Sequence, residues 1–263
     1  MIKYILFIFF FIFNSHLYAE TYISIASTTS THDTGLLKHI NKYFTEEYNI
    51  KVNVLSLGTG QAIRTAEDGN VEILIVHHLP SELEFINKGY GALRYNLMYN
   101  DFILVGPKED ENSCISIKKK FNYISKNKLL FVSRGDDSGT HKKEKELWEQ
   151  IDKKPNINDF WYLSIGQGMG QTLLLSNNKK AYTLTDRGTW ISFNQKDNLK
   201  IICENTPPLI NQYGVILIDK SINKNIKYNE GKKYINWIIS NKAKKLINNY
   251  KINGEQLFFF NNN

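Results

Sequence analysis

The sequence predicts an α/β protein with mixed, mostly parallel sheets. Apolar strands alternate with amphipathic helices along the chain, which is the pattern of βα units. Several strands are followed directly by a turn rich in glycine and hydroxyl residues. The chain has no proline- or serine-rich linker and no internal repeat, so strands rather than a flexible tether would join any separate lobes.

Each predicted strand is a short apolar run, and the helices follow from the spacing of apolar residues between these runs. After the first strand, Leu36, Leu37, Ile40 and Phe44 recur at helical intervals. Two amphipathic helices are predicted near the end of the chain, at 230–240 and 241–250. The predicted strands are residues 22–26, 52–57, 72–77, 102–105, 129–132, 182–185 and 214–218.

Length and composition are those of an ordinary globular protein. The 263 residues suffice for one large or two modest domains, with 42% hydrophobic and 22% charged residues. The net charge of +7 comes from scattered lysines, and aromatic residues are not interleaved with them as a nucleic-acid surface requires. We therefore expect no nucleic-acid partner, and a mild positive field that attracts anions.

The N-terminus has the pattern of a secretory signal peptide. Lys3 precedes an apolar run over residues 5–13, and a more polar stretch leads to the small residue Ala19. Residues 1–19 are predicted to be a leader cleaved near Ala19, with an uncleaved anchor as the alternative. An exported chain with two cysteines can form one disulfide, or keep two buried thiols.

The most informative stretch is residues 133–141, SRGDDSGTH. It joins a predicted strand to a predicted helix, where backbone N–H groups and the positive end of the helix dipole point at one spot. Arg134 adds a forked cation, and Ser138 and Thr140 add hydroxyl donors. Asp136 is placed to pair with Arg134 across the turn. These donors suit a small oxyanion, and the structural alternative is an Arg–Asp pair that braces a surface turn.

Other turns have a similar character. Residues 27–31 all carry hydroxyls, whereas a helix cap needs only one. Residues 58–62 contain Gly-Thr-Gly, which either lets backbone approach a ligand or forms a tight turn. A strand ends at 185–189, and the glycine-rich stretch 166–170 lacks the spacing of a dinucleotide site. A single sheet brings two such turns together, whereas two lobes facing across a cleft bring together the four turns at strand ends.

No catalytic motif is present. Ser138 lies near His141, but the spacing is not that of a nucleophile elbow, and a secreted hydrolase would also need an acidic residue near His141. His77 and His78 have no metal-ligand partner at helical spacing, so they are interpreted as strand-end residues. We therefore predict neither an enzyme nor a cofactor.

These stretches together resemble the periplasmic tungstate-binding proteins of tungstate ABC transporters, the TupA-like group. The similarity extends over essentially the whole chain after the leader, and stretches 133–143 and 182–189 are the most specific. His78 departs from the small residue expected after His77. The other matching stretches are 27–31, 33–37, 58–62, 98–102, 161–162, 166–170, 211–214 and 254–258.

The resemblance implies a type II periplasmic-binding-protein fold with two lobes and two crossover strands, near 102–106 and 212–215. Both cysteines then lie beside the crossovers, which favours a disulfide between Cys114 and Cys203. The implied lobe one is residues 20–104 plus 210–263, and lobe two is residues 105–209.

The resemblance also implies the ligand, its contacts and the partners. The principal oxyanion contacts would be Thr28 or Thr29, Arg134 and Thr140. The supporting donors would be Thr59, Gly60, Ser138 and Gly139, with Ser30, Met169 and Thr185 as further candidates. The protein would be a periplasmic monomer that binds tungstate or molybdate and delivers it to a membrane permease with its ATPase. The tungsten of the ligand would be its only metal.

The chemistry of the anion leaves one alternative ligand. Tungstate is a fully ionised dianion, so its site should offer donors and no free acceptor. Phosphate carries a proton near neutral pH and needs an acidic acceptor, and residues 134–140 also resemble the helix-start loop of phosphate-binding proteins. If Asp136 is tied to Arg134 and Asp137 faces outward, tungstate is favoured. Tungstate and molybdate have nearly the same size and charge, so that choice rests on the resemblance.

Overall fold

The computed structural model describes residues 21–112, 114–204 and 207–262 and has two α/β lobes that share one long strand. The predicted leader, residues 1–19, lies outside the described residues. The strands are β1 Thr21–Thr28, β2 Ile50–Leu57, β3 Ile73–Val76, β4 Gly91–Pro107, β5 Phe131–Ser133, β6 Tyr162–Ser164, β7 Thr183–Asp186, β8 Leu199–Cys203, β9 Ile210–Ile218, β10 Lys251–Ile252, β11 Glu255–Gln256 and β12 Phe259–Phe260.

Helices follow most of the strands, in agreement with the predicted alternation. A short 3-10 helix, Pro207–Leu209, precedes β9. The α-helices are α1 Thr29–Asp33, α2 Leu36–Tyr48, α3 Thr59–Glu67, α4 Leu79–Asn87, α5 Ile117–Lys126, α6 Gly139–Glu149, α7 Met169–Lys179, α8 Arg187–Ser192, α9 Tyr228–Ile238 and α10 Asn241–Asn249. None of the helices in the described ranges is long and apolar enough to cross a membrane.

The first lobe is built on a sheet with the strand order β12-β4-β9-β3-β1-β2. β1 runs parallel to both β2 and β3, because helical crossovers connect these strands. β9 runs antiparallel to β3 and β4, and β12 runs antiparallel to β4. The sheet is mixed, as predicted, but the long strands β4 and β9 make antiparallel pairing more prominent than the alternation alone suggested.

β4 connects the two lobes. It pairs with β9 as far as Asp101, which lies opposite Ile210, and from Phe102 onward it pairs with β7 and β8. This change of partner lies close to the first predicted crossover. β9 pairs with first-lobe strands from Ile210 onward, so the chain has returned to that sheet before the predicted crossing at 212–215. The exact lobe boundaries stay a prediction.

The second lobe surrounds the parallel strands β5 and β6, and a bridge joins β5 to the start of β7. Phe121, Phe131 and Trp148 form the centre of its core, and each such buried side chain contributes about 1.5–3 kcal/mol. Cys114 and Cys203 form a disulfide at the edge of this core, with their Cα atoms 5.3 Å apart. The disulfide that the resemblance favoured is therefore present.

Candidate oxyanion-binding site

The turns at the strand ends, residues 27–31, 58–62, 133–141 and 185–189, meet between the lobes and are called the oxyanion ring below. The first half of this ring lies in the first lobe. β1 and β2 are parallel neighbours with Thr28 opposite Leu57, so the end of β1 lies beside the start of α3. The backbone N–H of Gly60 donates to the carbonyl of Asp137 over 3.2 Å. This hydrogen bond joins α3 to the 133–141 loop of the second lobe.

The second half of the ring runs through the second lobe and returns to the first. Because β5 and β7 lie side by side, Arg134 and Asp186 at their carboxyl ends interact electrostatically. A β-carbon added at Gly188 in α8 would lie 2.8 Å from Cγ2 of Thr34, so α8 packs closely against the start of α2. The four turns therefore surround one region between the lobes, as the sequence predicted.

The 133–141 loop is held by its own side chains. Nη2 of Arg134 donates to Oδ2 of Asp136 over 2.6 Å, and Oδ1 of Asp136 accepts from the backbone N–H of Ser138 over 3.2 Å. The hydroxyl of Ser138 accepts from the backbone N–H of His141 over 3.1 Å and caps α6. The guanidinium is thereby fixed from one side, which leaves its Nε without a hydrogen-bond partner among the described residues.

Buried donors predominate in the rest of the ring. Thr59 is 1% exposed, and its hydroxyl has no hydrogen-bond partner within the described ranges. Such an unpaired buried polar group costs about 1–3 kcal/mol, which a ligand that accepts its hydrogen bond would recover. The hydroxyl of Thr28 lies 2.8 Å from that of Thr31. The other buried candidates are Gly60, Arg134, Ser138, Gly139 and Thr140.

The carboxylates near the ring already have partners. The side chain of Asp137 is 51% exposed and pairs with Arg64 at 3.2 Å and Lys142 at 3.3 Å. Asp186 is fully buried, and its two oxygens accept from the backbone N–H and the hydroxyl of Thr189 over 2.8 and 2.6 Å. Burial raises the pKa of Asp186, opposed by these bonds. With Asp136 tied to Arg134, the arrangement presents donors rather than free acceptors.

This architecture is shared with known binding proteins. A family described as the PBP superfamily domain matches residues 19–242. The tungstate-binding protein TupA of Peptoclostridium acidaminophilum is 42% identical over 240 residues, which cover 88% of this chain and 82% of that protein. TupA of Campylobacter jejuni is 37% identical, with 87% of each chain covered.

A solved structure agrees with the sequence relatives. The tungstate-binding protein TupA from Desulfovibrio alaskensis G20 superposes with a TM-score of 0.82 at 37% identity, covering 92% of this chain and all of that one. The chain belongs to the TupA family. It is therefore a binding protein of the periplasmic type and not an enzyme. The two-lobed α/β fold predicted for it is confirmed.

The remaining candidate ligand contacts of this TupA-family protein lie at the starts of helices and at the end of a strand. Met169 begins α7 and is 6% exposed, and Thr185 is buried with its hydroxyl donating to the carbonyl of Asp186 over 3.2 Å. Thr29 begins α1 and is half-buried. The side chain of Ser30 lies outside the described part of the chain. The ligand contacts of all these residues stay a prediction.

The sequence analysis did not identify His77 as a member of the oxyanion ring. His77 follows β3, and its ring packs against Tyr213 with centroids 4.8 Å apart. A β-carbon added at Gly139 would lie 2.4 Å from Cε1 of His77, so the imidazole lies against the start of α6. The rule that selected the turns places His77 at the cleft, because it lies at a strand's carboxyl end, but that rule does not reveal its contact with Gly139.

The neutral state of His77 gives a stability prediction. Burial lowers its pKa from 6.5 to about 3, opposed by a contact with Asn211 and assisted by the charge of Arg134. As pH falls from about 6.5 to about 3, His77 binds a proton in the unfolded chain but stays neutral in the folded protein. The free energy of unfolding therefore decreases over this pH range. Urea unfolding between pH 7 and pH 4 should show a smaller loss for His77→Gln. Equal losses in both proteins would contradict the assignment.

Proposed function

We propose that this protein captures tungstate between its lobes and delivers it to an ABC transporter. The observation that carries the proposal is the guanidinium of Arg134. It is 5% exposed, is fixed by Asp136, and keeps an unpartnered Nε within a ring of other buried donors. A dianion with four acceptor oxygens matches such a set, because every contact is a donated, charge-assisted hydrogen bond.

The proposed contacts are those predicted from the sequence. Thr28 or Thr29, Arg134 and Thr140 hold the oxyanion, and Thr59, Gly60, Ser138 and Gly139 support it. Each charge-assisted hydrogen bond contributes about 1.5–3 kcal/mol. Six or more are compatible with nanomolar affinity, which corresponds to about 12 kcal/mol, when closure excludes water. Ser30, Met169 and Thr185 are proposed as further contacts.

Phosphate fits this ring less well. A protonated phosphate oxygen needs an acceptor, and Asp136, Asp137 and Asp186 already receive hydrogen bonds or ion pairs from neighbouring groups. The hydrolase hypothesis also lacks a hydrogen bond between nucleophile and base, because the hydroxyl of Ser138 accepts from the backbone N–H of His141 and does not contact its imidazole. Nδ1 of His141 lies 3.1 Å from Ser133 instead.

The proposed setting is the periplasm. The leader at 1–19 would export the chain, and cleavage near Ala19 would release it as a monomer. A membrane permease with its ATPase would receive the ligand. Molybdate, which has nearly the same size and charge as tungstate, is proposed as a second ligand.

Calorimetry tests the proposed function. The desalted mature chain, residues 20–263, is titrated in turn with tungstate, molybdate, phosphate and sulfate. We expect tight binding of tungstate and much weaker binding of phosphate and sulfate. Phosphate binding without tungstate binding would mean that a carboxylate faces the ligand, and would overturn the proposal.

Closure of the lobes depends on the absence of a side chain at Gly139. A β-carbon there would lie 2.4–2.9 Å from three ring atoms of His77, and this buried ring has little room to move. Gly139→Ala should therefore weaken tungstate binding at least tenfold while the protein stays folded. Gly170→Ala is the matched control, since a β-carbon there meets no atom within 4 Å. Equal affinities of the two variants would show that Gly139 does not limit closure.

A further inference from the structure

A histidine and a glutamate face each other across the cleft, outside the oxyanion ring. Nε2 of His78, at the start of α4 in the first lobe, lies 3.3 Å from Oε1 of Glu146 on α6 of the second lobe. Their side chains are 17% and 37% exposed. The two residues also line a cavity of about 220 Å³ between the lobes. The contact exists only while the lobes are together, because its two partners belong to different lobes.

The hydrogen bonds of His78 define which ring nitrogen faces Glu146. Nδ1 caps α4: it accepts from the backbone N–H of Ser81 over 3.3 Å and lies 2.6 Å from the Ser81 hydroxyl. A neutral ring therefore carries its proton on Nε2 and donates it to Glu146. When the ring gains a second proton, Nδ1–H can donate to the Ser81 hydroxyl. The backbone N–H of Ser81 then loses its acceptor in the open and the closed form alike, whereas the ion pair between Nε2 and Glu146 forms only in the closed form.

The charged groups around the pair lie on α4, α6 and β4. Lys143 pairs with the other oxygen of Glu146 at 3.1 Å. Glu82 accepts from the backbone N–H of His78 over 3.1 Å, and Arg94 of β4 pairs with Glu82 at 2.7 Å. Next to His78, His77 stays neutral because burial lowers its pKa to about 3. From β9 the neighbouring side chains are uncharged: Ile210, Asn211 and Gln212.

We propose that His78 and Glu146 are positioning residues that hold the lobes closed, and that protonation of His78 strengthens this closure. The proposal rests on the proposed function where the closure of the lobes is measured by the affinity for tungstate. Glu146 is ionised throughout the relevant range, because the contact with His78 and the charge of Lys143 lower the pKa of its carboxyl. Histidines change charge between pH 5 and 8, so closure is stronger at the acid end of that range.

The sign of the effect follows from linkage. Protonation of His78 creates an ion pair with Glu146 in the closed form. In the open form the two residues are apart, so protonation stabilises the closed form relative to the open form. Tungstate binds the closed form, so its affinity rises as pH falls and binding takes up protons. For a partly exposed pair, we expect tungstate to bind about fivefold more tightly at pH 6 than at pH 8.

The test is calorimetry at pH 6 and pH 8 on the mature protein and three variants. His78→Gln keeps an N–H donor but cannot gain a charge, and Glu146→Gln keeps the shape of the partner without its charge. Each of these two variants should bind tungstate with nearly the same affinity at pH 6 as at pH 8. His39→Gln is the matched control, because His39 lies on α2 against Tyr250 with ring centroids 5.1 Å apart, and this variant should keep the wild-type ratio. A wild-type ratio in His78→Gln would overturn the proposal.

A second measurement separates this proposal from the proposed function. Small-angle X-ray scattering of the ligand-free protein should give a smaller radius of gyration at pH 6 than at pH 8, and His78→Gln should abolish the difference. This result needs no ligand. If the wild type shows no tungstate heat at either pH, the proposed function fails, and scattering alone decides on the pair. An unchanged radius in the wild type, together with a pH-independent tungstate affinity, would refute the closure mechanism.

Discussion

Replacing Arg134 with lysine should weaken tungstate binding at least tenfold. The guanidinium is buried, is fixed by Asp136, and keeps its Nε available for a ligand. An ammonium is a single point charge on a flexible stem, so it cannot hold Asp136 and grip an oxyanion from two directions. Titration calorimetry measures the loss, and the melting temperature shows that the variant is folded.

Arg64→Lys is the matched control for this variant. The same chemical change is made in a side chain that is 64% exposed and pairs with Asp137 at 3.2 Å. Since exposed pairs contribute only about 0–1 kcal/mol, tungstate affinity should fall much less than in Arg134→Lys. An affinity of Arg134→Lys equal to the wild type would place Arg134 outside the site.

Removing the disulfide should produce the largest loss of stability. Cys114 and Cys203 are 89 residues apart, and in the chain-entropy model a bond that closes a loop of this length destabilises the unfolded chain by about 4.6 kcal/mol. The double variant Cys114→Ala/Cys203→Ala should therefore melt at a clearly lower temperature. Tungstate affinity measured below that temperature should change little, because neither cysteine belongs to the oxyanion ring.

Reduction of the wild type supplies the control for the disulfide. A thiol reductant should lower the melting temperature of the wild type towards that of the double variant and should leave the double variant unchanged. A wild type that keeps its melting temperature after complete reduction would show that the cross-link contributes little to stability.

Local patterns in the sequence predicted the framework of the fold well. β3 is an unbroken, buried apolar run, and β1 and β2 alternate apolar with polar residues. α2 is marked by apolar residues at helical spacing. The first half of β4 was not predicted, because Gly91–Asn96 is partly exposed and mixes polar with apolar residues. Its pairing with β9 is long-range, and no local pattern specifies it.

The oxyanion ring was predictable where the residue types themselves are donors. Arg134, Ser138 and Thr140 could be recognised from one strand–turn–helix unit. His77 could not be assigned a part in the same way, because its importance comes from contact with Gly139 across the cleft. The same holds for His78 and Glu146, which are 68 positions apart in sequence and meet only when the lobes are together.

The central claim is that buried donors around Arg134 bind tungstate. A crystal structure of the mature protein with tungstate tests it most directly, because the anomalous scattering of tungsten locates the ion without ambiguity. We predict a single strong peak inside the ring, with tungstate oxygens within hydrogen-bonding distance of Nε of Arg134 and the hydroxyl of Thr59. A tungsten site elsewhere, with Arg134 and Thr59 making no contact to it, would contradict the account.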